Sequence, residues 1–134
     1  MVHEIFSFEK ITKLKHRHPA AKLIAHPECE DSILQLADMV GSTTELLKFS
    51  QQDPAQEFIV ATEAGILHQM IKKSPTKKFI PAPPNNNCAC NECPHMKRNT
   101  IEKIYTCLKY ELPIIEMDEA LRLAAKKPID RMLE

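Results

Sequence analysis

Glycine is nearly missing from this 134-residue chain, occurring only at Gly41 and Gly65. A fold with so few glycines spends them where backbone freedom is needed, and both follow apolar runs, where strand-to-helix turns are expected. Tryptophan is absent, and two tyrosines and five phenylalanines leave few stacking platforms for single-stranded nucleic acid. Neither sign of charge is in surplus: 18 Lys and Arg face 18 Asp and Glu, so the basic footprint of a nucleic-acid binder is lacking. No apolar run approaches the length of a bilayer span. The opening MVHEIFSFEK has neither the charged start nor the apolar stretch of a signal peptide. These absences lead us to expect a cytoplasmic protein with no nucleic-acid or membrane partner. In that compartment the five cysteines read as thiols, metal ligands or redox groups, not as a disulfide framework.

What is present is an ordinary globular balance, 43% apolar and 27% charged, over a length suited to one core. Stretches with strand character alternate with helical patterns. FEKITKLKHR (8–17) sets Ile11 and Leu14 at helical spacing, and AKLIAH (21–26) is a short apolar run halted by proline. DSILQLADM (31–39) places Ile33, Leu34 and Ala37 on one helical face, with Asp31 or Ser32 as N-cap. After Gly41, Ser42 followed by Glu45 is a capping-box pattern at the start of a helix. EFIVAT (57–62) is the strongest strand candidate, EAGILHQMIKKS (63–74) is helical, and KKFIPAP (77–83) extends until its prolines. Strand, turn and helix recurring with short connections predict an α/β fold: a three-layer α/β/α unit with a short parallel sheet over residues 1–97. A helical segment over 98–134 follows, with helices at 99–110 and 117–133 and a break or kink near Pro128. Cys107, sharing a face with Ile104 and Leu108, reads as a buried, inert thiol.

PAPPNNNCACNECP (81–94) interrupts the alternation. Four prolines and four asparagines in fourteen residues make it a loop that carries Cys88, Cys90 and Cys93. The C-x-C-x-x-C spacing suits a metal centre, either zinc with His95 or Cys29 as a fourth ligand or an iron–sulfur cluster, with a Cys90–Cys93 disulfide and free thiols as the alternatives. In open parallel sheets, ligands bind beyond the carboxyl ends of the strands. Three such ends are polar here: His26-Pro27-Glu28-Cys29, Gly41-Ser42-Thr43, and Thr62-Glu63 with Gly65 and His68 behind. A histidine and a carboxylate two residues apart suit proton transfer. Ser42 and Thr43, opening a helix, suit an anionic group.

VHEIFS, HPEC, ADMVGST, FIVATEAGILHQM, KKFIPAP, CNECPHMKRNTIEKIY and KKPIDRML, in that order and over nearly the whole chain, resemble quinolinate synthase. That family makes quinolinate, an NAD precursor, from iminoaspartate and dihydroxyacetone phosphate. The resemblance implies three similar α/β/α units, each giving one cysteine to a [4Fe–4S] cluster whose fourth iron stays open to substrate. The cysteine before Pro-x-Met is the last ligand, here Cys93. Cys88 and Cys90 are then neighbours without a ligand role, in a spacing that departs from the C-x-x-C-x-x-C of some members. By the same resemblance His3, His26 and Glu28 belong to the catalytic pocket, with Glu28 as general acid and base. His26, Glu28, Ser42, Thr43 and Thr62 bind substrate, and Glu63 completes the wall. The family's C-x-V-H cysteine falls just before Met1-Val2-His3, so the chain is expected to be the last third of the enzyme plus its C-terminal helices. Without the other two thirds it is expected to retain no cluster, to lack synthase activity, and to self-associate through surfaces meant for the missing units. The competing expectation is an autonomous α/β zinc-binding module using Cys88, Cys90, Cys93 and His95.

Overall fold

A computed structural model of the chain describes residues 3–85, 92–93 and 95–133. The chain divides into two compact units, Met1–Lys97 and Arg98–Glu134. The candidate zinc ligands Cys88 and Cys90 lie outside the described residues.

The first unit runs α1 (Phe8–Arg17), β1 (Lys22–Ala25), α2 (Asp31–Leu34), β2 (Met39–Val40), α3 (Thr43–Gln52), β3 (Glu57–Ala61), α4 (Ile66–Lys73) and β4 (Lys78–Pro81). All four strands are parallel, in the spatial order β2-β1-β3-β4. Leu23 is opposite Ile59, Ile24 opposite Val60, and Ala25 opposite Ala61. The two central strands read as unbroken apolar runs because both their faces are covered. Leu23, Ala25, Ile59 and Ala61 pack with Ile11 of α1 and Ile33 of α2. Ile24, Phe58 and Val60 face the other way, against Leu46 of α3 and Met70 of α4. The unit is thus the expected sheet between two helical layers. Truncating a fully buried member such as Ile24 or Ile59 to alanine costs about 2–5 kcal/mol.

Local signals account for most element boundaries. Ser7 caps α1 by accepting from the Lys10 amide at 3.3 Å. Lys15, His16 and Arg17 complement the negative end of that helix. Ser42 and Glu45 form the expected capping box at α3.

Two local expectations need correction. The helical pattern at 31–39 yields only the four-residue α2, whose N-cap is Glu30 without a side-chain bond, not Asp31 or Ser32. The reason lies across the sheet. Asp38 accepts the Leu23 amide on its carboxylate at 2.7 Å and donates its own amide to the Leu23 carbonyl at 2.7 Å. That reciprocal pair draws Met39 and Val40 into an edge strand. The glycines also serve a purpose other than conformational freedom, since neither has positive φ. A Cβ on Gly41 would sit 2.9 Å from the Met39 methyl and 3.1 Å from the Glu45 carboxylate, and one on Gly65 2.6 Å from that of Glu63. Gly65 makes room for an acidic side chain, and Gly41 for Met39 as well as Glu45.

The N-terminal segment is pinned where β4 ends. Phe6 bridges Pro84, the Ser7 amide donates to the Pro83 carbonyl at 3.0 Å, and the Asn85 amide donates to the Ile5 carbonyl at 2.7 Å. Lys10 adds its ammonium to the Pro84 carbonyl at 2.8 Å. This fastening brings His3 across to the carboxyl ends of the strands.

The second unit contains α5 (Ile101–Tyr110) and α6 (Glu119–Leu133). Thr100 caps α5 by accepting the Lys103 amide, and α6 continues through Pro128 as one helix, so of the expected break or kink there is no break. Neither helix buries a residue; Leu108 is 80% exposed. Cys107 is therefore exposed, not buried: α5 has the apolar stripe of a core helix, and the unit itself supplies nothing to cover it. Among the described residues no helix is long and apolar enough to cross a membrane.

Candidate functional site

The strand order reverses direction between β1 and β3, and the crevice beyond that switch is where such sheets place ligands. The sequence sets His26 immediately after β1 and Thr62 immediately after β3. The His26 amide donates to the Ala61 carbonyl at 3.0 Å, so both side chains issue from one paired edge. A tight turn follows, closed by the Cys29 amide on the His26 carbonyl at 3.0 Å. Pro27 presets its first corner, and Glu28 is left projecting, with its side chain 66% exposed.

His3 joins these groups. Its Nδ1 lies 2.8 Å from Glu28 Oε2 and its Nε2 3.2 Å from Thr62 Oγ1. An ionised carboxylate only accepts, so Nδ1 carries the proton toward Glu28, and in the neutral ring Nε2 accepts from the Thr62 hydroxyl. Thr62 is buried, so its hydroxyl has reason to keep that bond. The His3 ring stacks on that of His26 with centroids 4.0 Å apart and planes 12° from parallel. His26 Nδ1 accepts the Glu28 amide at 3.3 Å, which leaves Nε2–H as its free donor. Its pKa lies below the ordinary imidazole value: burial disfavours the charged form most, the neighbouring His3 adds to that, and Glu28 opposes it.

Donor atoms of His3, His26 and Glu28 all lie within 4.8 Å of one another, close enough to suggest a cation. The stacking argues for a different use. Near-parallel rings 4.0 Å apart cannot aim their in-plane lone pairs at one point, so a shared ion would need one ring to swing away. As arranged, the group is a carboxylate linked through an imidazole to a buried hydroxyl, with a second imidazole stacked alongside. Such a chain can take up, hold and return a proton.

The remaining expected residues divide between this edge and elsewhere. Ser42 and Thr43 open α3 one strand over, where the Gly41 amide reaches the Ala25 carbonyl at 3.1 Å. The Ser42 oxygen accepts the Glu45 amide and its own amide is taken by Glu45 Oε2 at 2.7 Å. An intramolecular carboxylate thus sits where an anion was expected. Cys93 is half-buried; its amide lies 3.4 Å from Glu63 Oε1, and Glu63 directly follows Thr62. His95 and His68 are exposed. Cys29 is engaged elsewhere: its thiol is buried, donates to the Ala61 carbonyl at 3.3 Å, and is pushed up to about 11 by that burial. Sequence reasoning missed the link between Glu63 and Cys93. Its only trace is Gly65, the residue whose missing Cβ admits the Glu63 carboxylate.

The whole chain, residues 1–134, matches the family model described as "Quinolinate synthetase A protein". Among curated relatives, the quinolinate synthase of Rippkaea orientalis is 62% identical over all 134 residues of this chain and 41% of its own length. That of Nostoc sp. is 60% identical, likewise over the whole chain and 41% of the relative. That of Chloroherpeton thalassium is 56% identical, over 99% of the chain and 42% of the relative. The chain therefore spans about two fifths (41%) of the length of the curated relatives it matches.

Proposed function

Because the chain belongs to the quinolinate synthetase A family, we propose that it works as the carboxyl-terminal part of a quinolinate synthase, joined to the remainder that its longer relatives carry. In that reading it helps condense iminoaspartate with dihydroxyacetone phosphate to quinolinate in the cytoplasm. The observation that carries the reading is the gathering of His3, His26, Glu28 and Thr62 at the switch point of the sheet, with Cys93 tied to the same edge.

The donor set fits one leg of an iron–sulfur site. Cys93 is half-buried and sits beside the candidate pocket through Glu63. Within this first unit Cys29, buried and protonated, is no second thiolate. Cys93 would hold one iron, and two further thiolates would come from the rest of the protein. When bound, a [4Fe–4S] cluster with one open iron supplies Lewis acidity toward a substrate oxygen.

This chain's residues do the proton work. Glu28, exposed at the crevice, removes a proton from substrate and returns one to the departing hydroxyl. His3 steadies the carboxylate through Nδ1–H and is itself fixed by Thr62 at Nε2. His26, whose charged form is disfavoured chiefly by burial, offers Nε2–H to a substrate oxygen. Ser42 and Thr43 receive a substrate carboxylate or phosphate at the start of α3, which requires Glu45 to release the Ser42 amide.

The test uses a full-length chimera in which this chain replaces the matching 134 residues of the Rippkaea orientalis relative. Glu28→Gln in that chimera should lower quinolinate formation at least about a hundredfold, the usual scale of a lost general acid–base group. An unchanged rate removes Glu28 from the chemistry.

A further inference from the structure

Glu63 engages two backbone amides with its two carboxylate oxygens. Oε2 accepts from Gly65 at 2.7 Å, across the turn that starts α4. Oε1 lies 3.4 Å from the amide of Cys93, thirty residues later in the chain. Cys93 belongs to no helix or strand; its carbonyl receives the Lys97 amide at 3.2 Å. Its amide therefore ties it to the edge of β3. The carboxylate fits only because residue 65 lacks a Cβ, which would stand 2.6 Å from Oε2. Gly65 has φ −60° and ψ −26°, a conformation open to any residue. The glycine therefore makes space for the carboxylate and meets no backbone requirement.

We propose that Glu63 is a positioning residue for Cys93: its carboxylate straps the amide of that cysteine to the β3–α4 turn and so presents the thiol at the crevice. The proposal rests on the reading of Cys93 as a cluster ligand for its purpose, and on the geometry alone for its existence. An acidic side chain suits this task because charge-assisted bonds to amides are the stronger kind, and two acceptors on one rigid plane fix two segments relative to each other.

The experiment follows amide hydrogen exchange by NMR in the cluster-free 134-residue chain, with Glu63→Ala, Glu63→Gln and Gly65→Ala. Glu63→Ala should speed exchange at both Gly65 and Cys93 about tenfold, the loss expected for a charge-assisted bond at the weak end of its range. The β3 interior should keep its parent rates. Glu63→Gln, with one acceptor oxygen left, should protect one of the two amides but not both. Gly65→Ala displaces the carboxylate without altering it and should free the Cys93 amide. Alkylation of Cys93 by iodoacetamide, mapped by peptide mass, should accelerate in the same variants while Cys29 stays unmodified. Unchanged Cys93 exchange in all three variants overturns the proposal. So does a uniform rise across β3 and α4, which would mark general loosening. In the chimera, Glu63→Ala should lower the iron held per chain. A parent chimera that holds no iron contradicts the cluster reading and leaves the strap to be judged on exchange alone.

Discussion

The imidazole of His3 lies flat against that of His26, 4.0 Å between ring centroids and 12° from parallel. The pKa of His26 lies below the ordinary imidazole value, first because burial disfavours its charged form and second because His3 stands against it. In NMR titration His26 should show a midpoint below the ordinary 6.5. His3→Ala, which removes the like charge and opens the site, should raise it. A folded-state pKa depressed below the unfolded value means that the unfolded chain binds the extra proton first. Stability should therefore rise with pH between the folded midpoint and 6.5, and fall as pH is lowered through that window. A His26 midpoint at or above 6.5 contradicts the buried placement of that ring against His3.

Thr62 holds the far nitrogen of His3 and is almost fully enclosed. Thr62→Val keeps the shape and leaves His3 Nε2 without its donor. We expect a loss of about 1 kcal/mol in urea unfolding. We also expect a larger proportional loss of turnover in the chimera than of stability, because His3 would be free to turn away from Glu28. Equal activity with equal stability would make the Thr62 contact incidental.

Ser42 carries two jobs that substitutions can separate. Ser42→Ala removes the cap of α3 and should cost about 1 kcal/mol, whereas glycine at an N-cap costs only a few tenths. Ser42→Gly should therefore leave unfolding nearly unchanged while raising the chimera's KM for dihydroxyacetone phosphate. If KM stays constant in Ser42→Gly, the hydroxyl is a cap and nothing more.

The thiols of Cys29 and Cys107 should behave as opposites. Cys29, bonded to the Ala61 carbonyl with a pKa of about 11, should resist iodoacetamide at pH 8 until the protein is unfolded. Cys107, exposed on α5, should react at once. Rapid native-state modification of Cys29 would contradict its burial.

The sheet and the candidate site differ in how plainly the sequence announces them. LIA and FIVA declare central parallel strands because burial on both faces leaves no polar position to alternate. Ser42 with Glu45 declares a helix start because the two bonds of a capping box are local. His26, Glu28 and Thr62 are legible as polar ends of parallel strands, whereas His3 is legible only through motif resemblance: its pinning depends on Phe6, Pro84 and Asn85 meeting from opposite ends of the unit. What periodicity could not show is decided by contacts far apart in the chain or by a helix's lack of cover within its own unit. Asp38 ends a helical pattern early by pairing with Leu23. Cys107 sits on an apolar stripe whose cover its own unit does not supply. Glu63 reaches a cysteine thirty residues away, a distance at which no spacing rule operates.

If Cys93 is one leg of an iron–sulfur site, the rest of a longer protein must complete it. The most direct measurement is iron and sulfide per chain after anaerobic reconstitution, on the 134-residue chain and on the full-length chimera side by side. The account predicts about four irons in the chimera, the content of a [4Fe–4S] cluster, and none retained by the short chain. Stoichiometric zinc or iron that survives dialysis on the short chain would contradict it, and would make the cysteine loop a metal site in its own right.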